Sequence, residues 1–234
     1  MTKVLTPRST SLRDRPAYPL LEAARYVRVP AATLRSWVLG RPYATARGVK
    51  HWPALIRVAD RASGVLSFNN LIEAHVLRSL RLDHQAHIGD IRKALAYAES
   101  ELDLKQVLLS RELCTSAGEL FLDRLGELIS LSHSGQFAMK RMLALHLRRV
   151  EWDESGLPFR LFPFSSADES IGRRAIAIDP AIGFGRPILL KRSIATHIVA
   201  ERIDAGETPR AVARDYGLSM ADVEDAILYE RTAA

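Results

Sequence analysis

Tyr18-Pro-Leu-Leu-Glu-Ala-Ala-Arg-Tyr-Val-Arg-Val-Pro-Ala-Ala-Thr-Leu-Arg-Ser-Trp37 decides the fold of the N-terminal part of this chain. From Leu20 to Val27, the residues Ala23, Ala24 and Val27 are spaced for one buried face of a short helix. Pro30 ends it, because proline disfavours a helical backbone at the preceding residue, here Val29. Proline is also at home at the start of a helix, so a second helix is expected over Ala31 to Leu39, stopped by Gly40 and Pro42. Two short helices joined by a tight turn make a helix-turn-helix.

Downstream, Leu55 and Arg57, then Val65 and Ser67, flank Asp60 to Gly64. Alternation around a glycine turn predicts a small β-hairpin. Phe68-Asn69-Asn70 is read as a helix cap, followed by an amphipathic helix over Leu71 to Leu82 with Ile72, Val76, Leu77 and Leu80 on its apolar side. The order helix-turn-helix, hairpin, helix predicts a winged helix-turn-helix over 17–85, preceded by a mobile basic arm over 1–16. Residues 86–169 form a central section. A helix is expected over Ile88 to Glu99, burying Ile91, Leu95 and Ala98. Strand-like pieces follow at Gln106–Leu109, Leu120–Leu122, Glu127–Leu131 and Gln136–Met139, with Gly118, Gly126 and Gly135 between them. They read as a small antiparallel sheet. Lys140 to Arg149 reads as helix, and the aromatic-rich Trp152 to Ala167 as a packed connector.

The last section, 170–234, is the best punctuated. Ala175 to Ile178 reads as a short strand stopped by Asp179-Pro180. Ser193 is read as the cap of a helix running to Asp204 or Ala205 and stopped by Gly206, and Thr208-Pro209 as the start of another ending at Gly217. Ser219 with Asp222 gives a capping box for the final helix. Ile194, Ile198, Ala211, Val212, Tyr216, Leu218, Val223, Ile227 and Leu228 are the expected core of this three-helix, helix-turn-helix unit. The fold class is therefore α+β, mainly helical.

Charge divides the chain. Residues 1–70 hold twelve Lys or Arg against three acids, whereas 201–234 hold eight acids against four arginines. A basic end suits a polyanion and an acidic end does not. No apolar run approaches the ~20 residues of a membrane-spanning helix, and 1–16 has no apolar core of a secretory signal. The single cysteine, Cys114, excludes an internal disulfide and a cysteine-based metal site. A cytoplasmic location without membrane contact is the expectation.

Two stretches resemble known families. Tyr18 to Trp37, with Glu22-Ala-Ala24 in the first helix and Thr33-Leu-Arg35 before Trp37 in the second, resembles the opening of the MerR-type winged helix-turn-helix. The segment Gly40–Ala54, carrying Arg47, Lys50 and His51, reads as an insertion in that pattern, and the long dimerising coiled coil of MerR regulators does not follow. Ile178-Asp-Pro-Ala-Ile-Gly-Phe-Gly-Arg-Pro-Ile188, with Ala205-Gly-Glu207 and Tyr216, resembles a small trihelical domain of unknown function found in antitoxins encoded beside PIN-like toxins. The combination is similar to mycobacterial-style VapB antitoxins. That resemblance implies operator DNA, a VapC-like PIN-domain ribonuclease and a second copy of the chain as partners.

Within the resemblance, Ala32, Thr33, Arg35 and Ser36 would face DNA from the second helix, while Leu34 and Val38 face the core. Arg57 and Arg61 on the wing, with Arg47 and Lys50, would add phosphate contacts. The alternative is that these arginines form a solvated face. Arg186, Lys191 and Arg192, and after them Arg173-Arg174, are the candidates for toxin contact, being cations before an acidic module; the alternative is that they pair with Glu201, Asp204 or other nearby acids. Asp222, Glu224 and Asp225 on the final helix argue for protein contact there rather than DNA.

No catalytic or metal set is expected. His84 and His87 lack further placed ligands. Gly183-Phe-Gly185-Arg186 lacks the Gly-Lys-Ser/Thr ending of a phosphate loop. No cofactor is implied. The functional expectation is an antitoxin and autorepressor. The alternatives are a DNA-binding regulator with no toxin partner, or a protein-interaction adaptor.

Overall fold

Pro19 sets the backbone that opens α1 (Leu20–Tyr26), and Pro30 does the same for α2 (Ala31–Leu39). The computed structural model describes residues 11–46, 48–58, 64–83, 87–101, 106–109, 122, 124, 125, 127, 144, 147–163 and 173–232. The two helices pack by their expected faces: Ala23, Ala24 and Val27 from the first, Leu34, Trp37 and Val38 from the second. The chain then closes on itself, because Tyr18 and Leu66 exchange both backbone hydrogen bonds, at 2.8 and 2.9 Å.

The hairpin stands elsewhere than expected. It is β1 (Arg41–Thr45) paired antiparallel with β2 (Gly48–Trp52), in register Tyr43 against Lys50. The segment that reads as an insertion is thus the hairpin itself. Both of its faces are largely exposed, so it has no apolar alternation to betray it. Its remaining signal is β-forming Tyr43, Thr45, Val49 and Trp52 around a glycine. Leu55 and Ile56, expected to be strand, instead donate their backbone N–H groups to Trp37 O at 2.7 and 3.0 Å. Val65 and Ser67 lie beside the Tyr18–Leu66 bridge, and 59–63 fall outside the described residues.

The next helix, α3 (Phe68–Arg78), starts three residues before the expected Leu71. Ser67 is the cap: its hydroxyl accepts from Asn70 N, and Asn70 Oδ1 accepts from Ser67 N. Asn70 thus occupies the position where a capping box commonly has Glu or Gln. A single wide turn, Ser79–Asp83, continues the helix. Nearly every residue of α3 is buried, as a helix apolar on most sides should be. Beside it run α4 (Ile88–Glu101), burying Ile91, Ala94 and Ala98 with Leu95 half-buried, and a 3-10 turn over Val107–Leu109.

The central sheet expected over 106–139 is not what the described residues form. Val107–Leu109 is helical, and so are Leu122, Leu125 and Glu127. A continuous apolar run fits any buried element, so Val107-Leu108-Leu109 could not be assigned by period. The other expected strands fall mostly outside the described residues. A hairpin does occur later, inside the expected connector: β3 (Val150–Trp152) pairs with β4 (Pro158–Leu161). Its turn is held by Asp153 Oδ1, which accepts from Ser155 N and Leu157 N. Asp153 also binds Arg13 at 2.5 Å, and Asn69 N donates to Arg13 O. Residues 11–16, expected to belong to a mobile arm, are therefore pinned to two elements.

Leu161 of β4 exchanges hydrogen bonds with Ile178, joining the large core to the last unit. There β5 (Ile176–Ala177), β6 (Ile188–Leu189) and β7 (Ile194–Ala195) form a three-stranded antiparallel sheet. Ser193 does not cap a helix: it lies in the β6–β7 turn with φ +54°. The helix α5 (Thr196–Asp204) starts after β7. Thr208 caps α6 (Pro209–Tyr216), Gly217 ends it in the left-handed conformation, and Ser219 and Asp222 make the reciprocal box of α7 (Met220–Thr232). This core holds Ile176, Leu189, Val199, Val212, Leu218, Val223, Ala226 and Tyr229. Ile198 and Leu228, expected inside, are 38 and 43% exposed. The architecture is α+β, with a helix-rich N-terminal core and a sheet-plus-three-helix C-terminal core.

Candidate nucleic-acid interface

Between Ala23 and Ala59 the chain has seven Lys or Arg and no acid. The fold places that stretch on α1, α2, the β1–β2 hairpin and the segment after it. Burial of Leu34, Trp37 and Val38 turns Ala32 and Arg35 outward, with Thr33 and Ser36 at the half-buried edges of the same face. Ser36 Oγ donates to Thr33 O at 2.7 Å, so that hydroxyl is already committed to the helix backbone. Among the described residues Arg35 has no ion-pair partner.

The hairpin is held between α2 and α4. Gly40, at φ +77° and ψ −174°, turns the chain out of the helix. A Cβ there would lie 2.2 Å from Trp52 O, so only glycine lets the strands close this tightly. Leu55 and Ile56 then anchor the exit of β2 to Trp37, as described. At the hairpin base Tyr43 and Trp52 stack at 4.6 Å, with the Arg92 guanidinium of α4 5.8 Å from the Trp52 ring centre. At its tip Thr45 Oγ1 donates to Gly48 O at 2.6 Å. Arg41 and Lys50 are exposed on this arm, as is Val49, 77% exposed.

Of the expected DNA-facing set, the fold thus brings Ala32, Thr33, Arg35 and Ser36 onto one helix face and puts Lys50 on the adjoining hairpin. Arg57 is elsewhere. It lies past the hairpin, 87% exposed, 3.8 Å from Glu99 of α4. Arg47 and Arg61 lie outside the described residues. Arg41 was missed by sequence reasoning because the hairpin that carries it was missed.

The C-terminal cations divide. Arg192 Nε donates to Gly217 O at 3.2 Å and so caps α6. Arg186 and Lys191 are exposed and make no ion pair among the described residues. The alternative, pairing with Asp204, is not formed among the described residues; Asp204 lies 3.6 Å from Arg231. The acids of α7 are also occupied: Arg173 binds Asp222 at 2.6 Å and Asp225 at 3.5 Å, leaving Glu224 exposed. Arg202 ties Glu207 and Asp215 together and lies 5.0 Å from the Tyr216 ring centre. Those bonds hold Glu207 and Asp215 below the usual carboxylate range.

This unit is docked on α1. Arg25 reaches Glu230 at 3.2 Å, and Glu230 accepts from Thr196 Oγ1 at 2.5 Å. Tyr18 and Tyr26 meet edge to face at 6.2 Å beneath it. Burial pushes the Tyr26 phenol up to about 12.

No group of three or more His, Cys, Asp or Glu among the described residues is placed to hold a metal ion. His84 lies outside the described residues, and His87 is exposed. No helix among the described residues is long and apolar enough to cross a membrane.

Residues 176–229 match the family described as "Protein of unknown function (DUF433)". Over nearly its full length the chain is similar to "Putative antitoxin VapB45" of Mycobacterium tuberculosis, at 29% identity over 92% of this chain and 93% of that one. It is also similar to "Uncharacterized protein Rv2308" of the same organism, at 27% identity over 95% of this chain and 93% of that one. The crystal structure of Rv2018 from M. tuberculosis superposes with a TM-score of 0.65 at 25% identity, covering 92% of this chain and 98% of that one.

Proposed function

We propose that this chain is the antitoxin of a type II toxin–antitoxin pair. In this reading it represses its own operator through α2 and the β1–β2 hairpin, and it neutralises a PIN-like, VapC-type ribonuclease through its C-terminal unit. The observation that carries the reading is similarity along 92% of the chain to a protein named as an antitoxin. The acid-free basic stretch, centred on an exposed helix with Arg35 and an exposed hairpin with Arg41 and Lys50, supports the DNA half. Phosphate contacts from such cations release counterions, which makes affinity fall steeply with salt. The chain acts as a homodimer in this proposal, since helix-turn-helix repressors read two half-sites one helical turn apart.

The test has two arms. In a gel-shift titration the chain should prefer DNA upstream of its own gene. Arg35→Ala should cost about 1–3 kcal/mol of site-specific affinity if the guanidinium reads a base. Lys50→Ala should weaken all sequences alike and lower the salt slope by about one. Equal affinity for upstream and random DNA removes the repressor half. Co-expression with a PIN-like ribonuclease encoded next to the gene for this chain should restore growth; the absence of such a neighbour, or failure to restore growth, removes the toxin half.

A further inference from the structure

Phe184 is the most exposed large apolar side chain among the described residues, at 96%. It sits at the crest of the turn between β5 and β6, and its backbone is left-handed, φ +57° and ψ +27°. Gly183 and Gly185 on either side also have positive φ, +58° and +75°. Three consecutive left-handed residues make an unusual turn, and the surroundings show why it persists. A Cβ on Gly183 would meet Ile188 at 2.9 Å, and one on Gly185 would meet the buried Tyr18 hydroxyl at 2.2 Å. Gly185 N donates to Ile182 O, and Arg186 N to Gly183 O. The base of the turn is Asp179, 4% exposed, whose carboxylate accepts from Ala181 N and from both Nε and Nη2 of Arg160. The turn is thus a rigid pedestal built on a buried ion pair.

Phenylalanine is the wrong residue for such a place if the turn is all that matters. Glycine or asparagine holds a left-handed backbone at little cost, and neither leaves an aromatic ring in water. Two positions on, Arg186 is exposed, its charge felt by Tyr26, and it has no ion-pair partner among the described residues. An aromatic ring and an unpaired guanidinium on a pre-organised loop are what a protein-binding hot spot consists of.

We propose that the Phe184 turn is the anchor by which this chain grips its ribonuclease partner. The ring inserts into an apolar socket on that protein, and Arg186 lies against carboxylates at the socket's rim. The charge decides the kind of partner: the loop offers an unpaired cation, so its complement is acidic. The inference rests on the antitoxin reading and adds to it a residue and a binding mode.

The experiment uses the full-length chain and a PIN-like ribonuclease encoded next to its gene, with affinity measured by calorimetry. F184N should retain or raise the thermal midpoint, because asparagine suits the left-handed backbone, and should keep affinity for upstream DNA. Its affinity for the ribonuclease should fall by roughly 30-fold or more, the loss typical of a hot-spot aromatic. F184L should lose less, and R186E should lose affinity mainly through a slower association rate. Wild-type binding with F184N within threefold of it overturns this inference alone. A ribonuclease that the wild-type chain does not bind overturns the toxin half of the antitoxin reading and this inference with it. A variant that loses self-association but holds the ribonuclease normally shows that a second copy occupies the turn, which also overturns the assignment.

Discussion

Gly40→Ala tests whether the hairpin's placement against α2 is as tight as it looks. The backbone at Gly40, φ +77° and ψ −174°, belongs to a region populated almost only by glycine, so alanine there costs about 1–3 kcal/mol from strain alone. The new Cβ would also lie 2.2 Å from Trp52 O and 3.2 Å from Pro53 C. These are main-chain atoms, which cannot swing aside as a side chain can, so the strand must move by roughly an ångström at an overpacking cost of about 1–3 kcal/mol. The two contributions together come to about 2–6 kcal/mol, or a midpoint lowered by roughly 4–24 °C at 2–4 °C per kcal/mol for a chain of this size. Gly156→Ala is the control. It has positive φ, +74°, but no atom within 4 Å of its would-be Cβ, so only the backbone penalty of about 1–2 kcal/mol remains. Thermal unfolding followed by circular dichroism compares the two. Equal midpoints would refute the argument that Trp52 O sets the cost. The cheapest relief is a hairpin displaced from α2, so Gly40→Ala should also weaken binding to upstream DNA, while Gly156→Ala should not.

Two further outcomes follow from buried charge. Burial raises the Glu73 carboxyl from its ordinary 4.5 to about 7, opposed by the hydrogen bond from Asn70 and the charge of Arg57. The folded state therefore holds a proton that the unfolded chain gives up, and stability should fall as pH rises from 4.5 to 7 and then level off. Glu73→Gln should flatten that fall in a series of urea midpoints; an unchanged slope would show that Glu73 titrates normally. Arg160→Ala leaves Asp179 buried without its 2.9 Å partner and should cost roughly 3–5 kcal/mol in urea unfolding, whereas a loss below about 1 kcal/mol would mean the pair is well solvated.

Where local chemistry alone decides an element, the chain states it openly. Pro30 and Gly40 bound α2 at the residues expected, and the Leu34–Val38 face turned inward, which exposed Arg35. Thr208-Pro209, Gly217 and the Ser219–Asp222 box marked α6 and α7 correctly, because caps and left-handed stops act through atoms only a few residues apart. The β1–β2 hairpin was illegible for the opposite reason. It is exposed on both faces, so no buried side leaves a period of two, and what holds it is remote: Trp52 O over Gly40 and Arg92 over the Trp52 ring. The apolar run at Val107 was ambiguous because burial against α3 suits helix and strand alike. Most of all, partnership between distant charges could not be read in one dimension. Arg173 lies 49 residues from Asp222, and Arg160 lies 19 from Asp179. Only the tertiary structure decides which cations are spent on such pairs and which, like Arg186, make no ion pair among the described residues.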